Sequence, residues 1–446
     1  MAVAAIIAAM LLGGGGSPAP RAEMVLELLL AGVAALWLDT FSRPGARPAP
    51  SQAWLIAGLV CLVPALQLIP LPAALWHALP GRALERQALA LIGAEGAWRP
   101  WSLTPDRTIA ALLAMLPAAA MIVMVAALPR RGRGWVIAAI ALLALLSVIV
   151  GAAQISAGHA SALRFYGHGS EYLEGFQANH NSEADVLLIG IVASAAVARE
   201  LLERRPQAVP PRLIGLAAVG AIALLAIGVV LTASRFGIML LPVALAGVAG
   251  ILSPWLRIGR RFALAGAAAT ALVAAIVGFE LATSTVFQRV VARFTFAGEF
   301  RPELWHDALY AMHQYLPWGA GMGSFVPVFM AAERLEVLDD TIANRAHNDF
   351  LELAIEAGVP GLLVLAAIVA VLGVAAWQGL KRPPAGSRGQ AIFAITVVIL
   401  IGFHSAVDYP LRSMALAEAA AVCGGLLLPV CAMRLPSRQK TLETIA

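Results

Sequence analysis

Apolar residues in this chain come in long blocks separated by short polar loops. Blocks rich in Leu, Ala, Val and Ile cover 24–41, 53–71, 108–128, 135–155, 184–198 and 213–231. They continue at 236–252, 262–282, 353–377, 392–407 and 414–433. A helix needs roughly 20 apolar residues to cross the hydrocarbon core of a bilayer. In lipid each segment must satisfy its own backbone hydrogen bonds, so such blocks predict helices. The pattern predicts an all-α, polytopic transmembrane bundle, with residues 1–446 forming one integral membrane domain.

The short loops alternate in charge. Arg43 and Arg47, then Arg130, Arg131 and Arg133, then Arg199, Arg204, Arg205 and Arg212 fall on one side. Arg257, Arg260 and Arg261, then Lys381, Arg382 and Arg388, then Arg434, Arg438 and Lys440 complete the set. Basic loops mark the cytoplasmic face, which places the C-terminal segment inside. The first apolar stretch, 1–12, is short and runs into Gly13–Gly16. Loop parity favours its crossing the membrane, for about twelve spans with both ends inside; a cleaved or surface-lying segment is the alternative.

Two loops on the opposite, extracytoplasmic side are long. One, 73–107, carries Trp76, Trp98 and Trp101 among prolines. The other, 283–352, has room for helices of its own. Within it, 304–315 brings Leu304, Ala308, Ala311 and Tyr315 near one face, a pattern suited to lying on the membrane surface.

Composition agrees with the membrane reading. The chain is 60% hydrophobic and 13% charged, with a mean hydropathy of +0.83, against about 25% charged residues in soluble domains. The net charge of +5 is scattered between apolar blocks and forms no nucleic-acid patch. Cys61, Cys423 and Cys431 all fall in apolar blocks, with neither metal-ligand spacing nor a disulfide framework. No cofactor and no metal is expected, since no His, Cys or Glu grouping has ligand spacing.

Polar residues concentrate at the outer helix ends. Arg345-Ala-His347-Asn348-Asp349-Phe-Leu-Glu352 leads into a span with Gly358, Pro360 and Gly361 near its start. A histidine here suits a general base, with Asp349, Glu352 or Glu356 to orient it; alternatively, Asn348 or Asp349 simply caps a helix. Thr232-Ala-Ser234-Arg235-Phe-Gly237 breaks an otherwise continuous apolar run. Arg235 is either a snorkelling residue in a tight hairpin or a grip for phosphate oxygens. Arg301 offers a second positive group or an interfacial anchor. The glycines of Pro317-Trp-Gly319-Ala-Gly321-Met-Gly323 lack the order of a nucleotide loop and read as a tight turn. Asn179, His180 and Asn181 precede one span. His404 and Asp408 end another, with Arg412 as a candidate partner for Asp408. His159, His168, His306 and His313 read as loop residues without a role.

His347-Asn348, nine residues, Gly358, two residues, Gly361 resembles the signature of the O-antigen ligase and O-antigen polymerase superfamily. The Ser234-Arg235-Phe-Gly237 hairpin, Arg301-Pro-Glu-Leu-Trp305, the Asn179-His180 helix start and the Ser405–Asp408 helix end are similar too. The resemblance implies a GT-C-like membrane glycosyltransferase of the bacterial inner membrane whose active site faces the periplasm. The donor it implies is an undecaprenyl-pyrophosphate-linked glycan. The acceptor is a sugar hydroxyl, on lipid A-core in a ligase or on another glycan in a polymerase.

On that resemblance His347 is the general base and Arg235 and Arg301 hold the pyrophosphate without a metal. Asp408, Asn348 and His180 are supporting candidates, and Gly358 and Gly361 are structural. Thr232 and Ala233 stand where some ligases carry a further arginine, which affects donor contacts at that point. Ligase activity is expected first and O-antigen or exopolysaccharide polymerase second. A polysaccharide transporter or flippase would also explain many spans with buried arginines.

Overall fold

The computed structural model describes residues 1–16, 20–43, 46–158, 162–166, 171–204, 209–253, 300–338, 341–381 and 387–431. The expected span 262–282, the basic residues Arg205, Arg257, Arg260, Arg261, Arg382, Arg434, Arg438 and Lys440, His159, His168 and the start of the large loop lie outside them.

The described chain is mostly helical. In order it forms α1 (Ala2–Leu12), α2 (Pro20–Phe41), α3 (Ser51–Gln67), α4 (Ala73–Trp76), α5 (Ala83–Ala90), α6 (Pro105–Ala127) and α7 (Arg130–Ala157). Then come α8 (His180–Arg204), α9 (Pro211–Leu231), α10 (Arg235–Leu252), α11 (Arg301–Tyr315) and α12 (Phe325–Met330). The last three are α13 (Asp349–Lys381), α14 (Arg388–His404) and α15 (Met414–Leu427). Six helices among the described residues, α2, α6, α7, α9, α10 and α13, are long and apolar enough to cross a membrane. The protein is a multi-pass membrane protein.

Two of the apolar stretches, 1–12 and 414–433, form helices shorter than a membrane crossing. α1 has 11 residues; at 1.5 Å per residue that is roughly 16 Å, about half of a hydrocarbon core. It is nevertheless built into the bundle, with Ile6 and Ala9 fully buried. Its end meets the start of α15, where the Gly13 carbonyl accepts from Ala415 N–H and Ser413 Oγ–H, both at 3.1 Å. α15 stops at Leu427 rather than running to 433, because Pro429 disfavours helix at the residue before it.

Most of α8 is buried, including Glu183 and Asp185. Carboxyls on this helix are costly against lipid, so burial at the centre of the bundle is their natural place. Close approach there uses small residues: a Cβ on Gly190 would lie 2.4 Å from Ala144 Cβ.

The ends of the bundle separate chemically. At one end Arg133 donates to the carbonyls of Ala126, Leu426 and Leu428. There too Arg199 donates to Ile251 O, Arg47 to Cys431 O, and Arg130 pairs with Glu203. These are loops of the basic set. The opposite end holds the two long loops and the polar helix starts.

The 73–107 loop is a folded unit. Pro70–Leu71 and Arg99–Pro100 form a short antiparallel pair, and the buried Trp76 donates to Ala97 O at 3.0 Å. α11 corrects one expectation. Its Leu304, Ala308 and Ala311 face protein, packing with Ala320, Phe325, Phe329, Ala346 and Ile355 in a core of their own. Asp307 on that same buried face pairs with Arg334 at 2.6 Å, an arrangement unsuited to lipid. His306 and His313 lie on α11, not in a loop.

Candidate active site

The segment 345–352 is held from both directions. Asn348 caps α13, its Oδ1 accepting from Leu351 N–H at 3.0 Å. Asp349 N–H donates to Ser405 O at 2.8 Å, and its Oδ2 accepts from Ser405 Oγ–H and Leu411 N–H. These bonds dock the start of α13 onto the end of α14 and the turn after it. His347 sits between with φ +48°, a left-handed conformation that costs a non-glycine residue about 1–2 kcal/mol.

That docking brings His347 to Asp408. Nδ1 lies 3.2 Å from Asp408 Oδ1, an ion-pair distance without hydrogen-bond alignment. Arg301 Nη2 lies 3.7 Å from Oδ2 of the same carboxylate. Asn181 Nδ2 donates to that oxygen at 2.5 Å, and Tyr409 N–H to Oδ1 at 3.0 Å. The imidazole stands edge-to-face against Phe300 at 5.1 Å and Tyr409 at 4.8 Å. Burial alone would raise the Asp408 carboxyl, but His347, His404 and Arg301 around it hold it below the ordinary carboxylate range. Burial and the Asp408 charge push the Tyr409 phenol up to about 12.

Arg235 begins α10, where Ala233 at φ +53° makes the tight turn and Ser234 Oγ accepts from Gly237 N–H at 3.2 Å. Its neighbour Phe236 packs on the His404 ring at 5.4 Å, one turn before Asp408 and on the same helix end. Arg301 and His347 therefore share one carboxylate, and Arg235 stands at the start of the adjoining helix. His180 begins α8 with its ring 5.2 Å from Tyr172. Asn181, the next residue, is the one that reaches Asp408.

Arg412 departs from expectation. It turns away from Asp408 to bond Glu356 at 3.0 Å and Glu352 at 3.2 Å, with Asp349 at 3.7 Å. Burial opposes its charge, yet these three carboxylates raise its pKa. Glu352 and Glu356 therefore brace the helix start rather than face the imidazole. His404 pairs with buried Asp185 at 2.7 Å.

Asn181, Tyr409 and the Asp185–His404 pair were not among the residues assigned to the site by sequence. Their only linear signal is a polar side chain at an apolar helix end.

Gly358 divides α13. Its φ of +58° and ψ of −153° interrupt the helix, and a Cβ there would lie 2.3 Å from Pro317 O. The glycine-rich 317–324 strip threads past this kink, with Ala320 N–H bonded to Ile355 O and Gly321 N–H to Glu356 O. A Cβ on Gly361 would meet that of Ala357 at 2.3 Å. Both glycines thus serve close packing. All three cysteines are free thiols. Among the described residues no three His, Cys, Asp or Glu side chains are grouped to hold a metal ion.

Residues 219–366 match the family model for O-antigen ligase. The match supports the likeness to the O-antigen ligase and polymerase superfamily. No curated protein matches the chain. The O-antigen ligase match covers about a third of the sequence and contains Arg235, Arg301, His347, Gly358 and Gly361. Asn181, Asp408 and Arg412 lie outside it, so the matched segment meets its polar partners through α8 and the end of α14. The family match gives the protein a membrane glycosyl-transfer role in O-antigen or polysaccharide assembly.

Proposed function

We propose that the protein transfers a glycan from an undecaprenyl-pyrophosphate donor to a sugar hydroxyl on the periplasmic face of the bacterial inner membrane, as an O-antigen ligase acting on lipid A-core. The observation that carries this reading is the sharing of one buried carboxylate, Asp408, by His347 and Arg301. The arrangement lies at the end of the bundle opposite the basic loops, the end that charge bias assigns to the periplasm.

In this reading the acceptor hydroxyl gives its proton to His347 as its oxygen bonds to the anomeric carbon. The bond from that carbon to the pyrophosphate oxygen breaks, and undecaprenyl pyrophosphate leaves with the electron pair. Arg301 and Arg235 stabilise the charge that develops on the leaving group, as planar forks matched to phosphate oxygens. Asp408 holds the imidazole and balances the proton it gains. Asn181 and Tyr409 fix Asp408 in turn.

The test is transfer by the purified protein from undecaprenyl-pyrophosphate glycan, with and without lipid A-core, in EDTA. Glycan moving onto lipid A-core in EDTA supports a metal-independent ligase. Lengthening of the lipid-linked glycan without that acceptor identifies a polymerase. Retained transfer by His347→Ala overturns the assignment of the base.

A further inference from the structure

The residue that aims His347 is not His347 itself. Ala346, immediately before it, is fully buried, and both of its backbone polar groups are bound by side chains. Its N–H donates to Glu352 Oε2 at 3.0 Å. Its carbonyl, in the peptide joining it to His347, accepts from the Trp305 indole Nε1–H at 2.9 Å. A buried backbone group usually finds its partner in a helix or sheet ladder or in ordered water. Here two side chains from different helices have that place, on either side of one residue.

Glu352 is fully buried and is the hub of this arrangement. Besides Ala346 N–H, it accepts from Arg345 Nη1 at 3.1 Å and pairs with Arg412 at 3.2 Å. Arg412 continues to Glu356, whose other oxygen accepts from Phe325 N–H at 3.1 Å. The clamp on Ala346 is thus tied to α11 through Trp305 and to α12 through Glu356. Beyond His347, the Asn348 cap and the Asp349 bonds to Ser405 and Asp408 fix the chain again. A left-handed histidine between two fixed points is strain that its surroundings over-determine.

We infer that Trp305 and Glu352 are positioning residues: by gripping the two sides of Ala346 they hold His347 in its left-handed conformation, with the ring against Asp408. This rests on the reading of His347 as the base. Neither side chain need touch substrate. Their loss misplaces the imidazole and lowers turnover, while donor and acceptor still bind. A displacement of about 1 Å at a reacting group can cost about 10²-fold in rate.

The experiment measures initial rates against donor and acceptor concentration for Trp305→Phe, Glu352→Gln and the double variant, with thermal midpoints alongside. Trp305→Phe keeps the ring and removes the donor. Glu352→Gln keeps the shape and removes the charge. We expect each to lower kcat by at least about tenfold in assays run well below its thermal midpoint, with both KM values near wild type. The midpoint itself falls, because a buried carbonyl or a buried arginine pair is left unsatisfied. The double variant should be little worse than the more severe single one, because both act through one residue.

Wild-type kcat in Trp305→Phe overturns the inference, as does a loss of rate that disappears when the assay is run well below that variant's thermal midpoint. Independent, multiplying effects in the double variant overturn it too. Should Glu352→Gln fail to fold, Trp305→Phe alone still decides. His347→Ala run in parallel separates the two ideas. If it is inactive while Trp305→Phe is unimpaired, only the positioning role falls; if it remains active, the base assignment falls.

Discussion

His347 Nδ1 faces Asp408 Oδ1 across 3.2 Å, and the carboxylate is almost wholly buried. A buried negative charge beside a ring nitrogen offsets the positive charge that develops there as a hydroxyl proton is taken in the transition state. Asparagine has nearly the same shape and none of that charge. Asp408→Asn should therefore lower kcat by about 10- to 10²-fold, less than the ~10²–10⁴-fold ascribed to general-base catalysis itself. Rates in lipid nanodiscs check this, and an unimpaired Asp408→Asn enzyme would remove Asp408 from the site.

The same carboxylate has a stability consequence at low pH. Its folded pKa lies below the unfolded value of about 3.9, so between the two the unfolded chain binds the extra proton. The contribution is thus full above about pH 5 and is lost as pH falls through the folded value. The gap in thermal midpoint between wild type and Asp408→Asn should stay level above about pH 5 and close below about pH 4. A gap that widens on acidification contradicts the assignment.

Arg301 approaches the Asp408 carboxylate at 3.7 Å, beside His347. Lysine would keep the charge and lose the planar fork. Arg301→Lys and Arg235→Lys should each lower kcat/KM for the lipid-linked donor by about tenfold, the equivalent of roughly 1.4 kcal/mol and of one lost charge-assisted bond. KM for the acceptor should not change. A change confined to the acceptor would move that arginine to the other side of the reaction.

Gly358 and Gly373 lie on the same helix in opposite circumstances. Alanine at Gly358 meets both the positive φ and the Pro317 carbonyl at 2.3 Å, for a cost of about 2–4 kcal/mol. Nothing lies within 4 Å of a Cβ at Gly373. Thermal unfolding in detergent should show Gly358→Ala well below wild type and Gly373→Ala no lower than it.

Glu418 lies fully buried on α15, and among the described residues its Oε2 has no hydrogen-bond partner. An unsatisfied buried polar group costs about 1–3 kcal/mol, and an apolar replacement of similar size removes that cost. Glu418→Leu should raise the thermal midpoint without loss of transfer. A lowered midpoint would show that the carboxyl is bound after all.

The sequence by itself determined the membrane class, the position of most helices, a cap at Asn348 or Asp349, and several of the polar residues from which the site is built. These are local properties: block length, a missing β-carbon at Gly358, a short polar side chain at a helix start. Block 414–433 outruns its helix, because hydropathy counts apolar residues and takes no account of Pro429, which ends α15.

Only the tertiary structure decided which polar residues meet. His347 and Asp408 are separated by sixty-one positions of chain, and Asn181 reaches the same carboxylate from α8. Arg412 lies four residues from Asp408, yet it turns to Glu352 and Glu356. Linear spacing carries no information on such pairing, because it is set by how α8, α13 and α14 dock. The same docking turned the apolar face of α11 onto protein instead of lipid, since a periodic apolar stripe records that a face is buried and not what buries it.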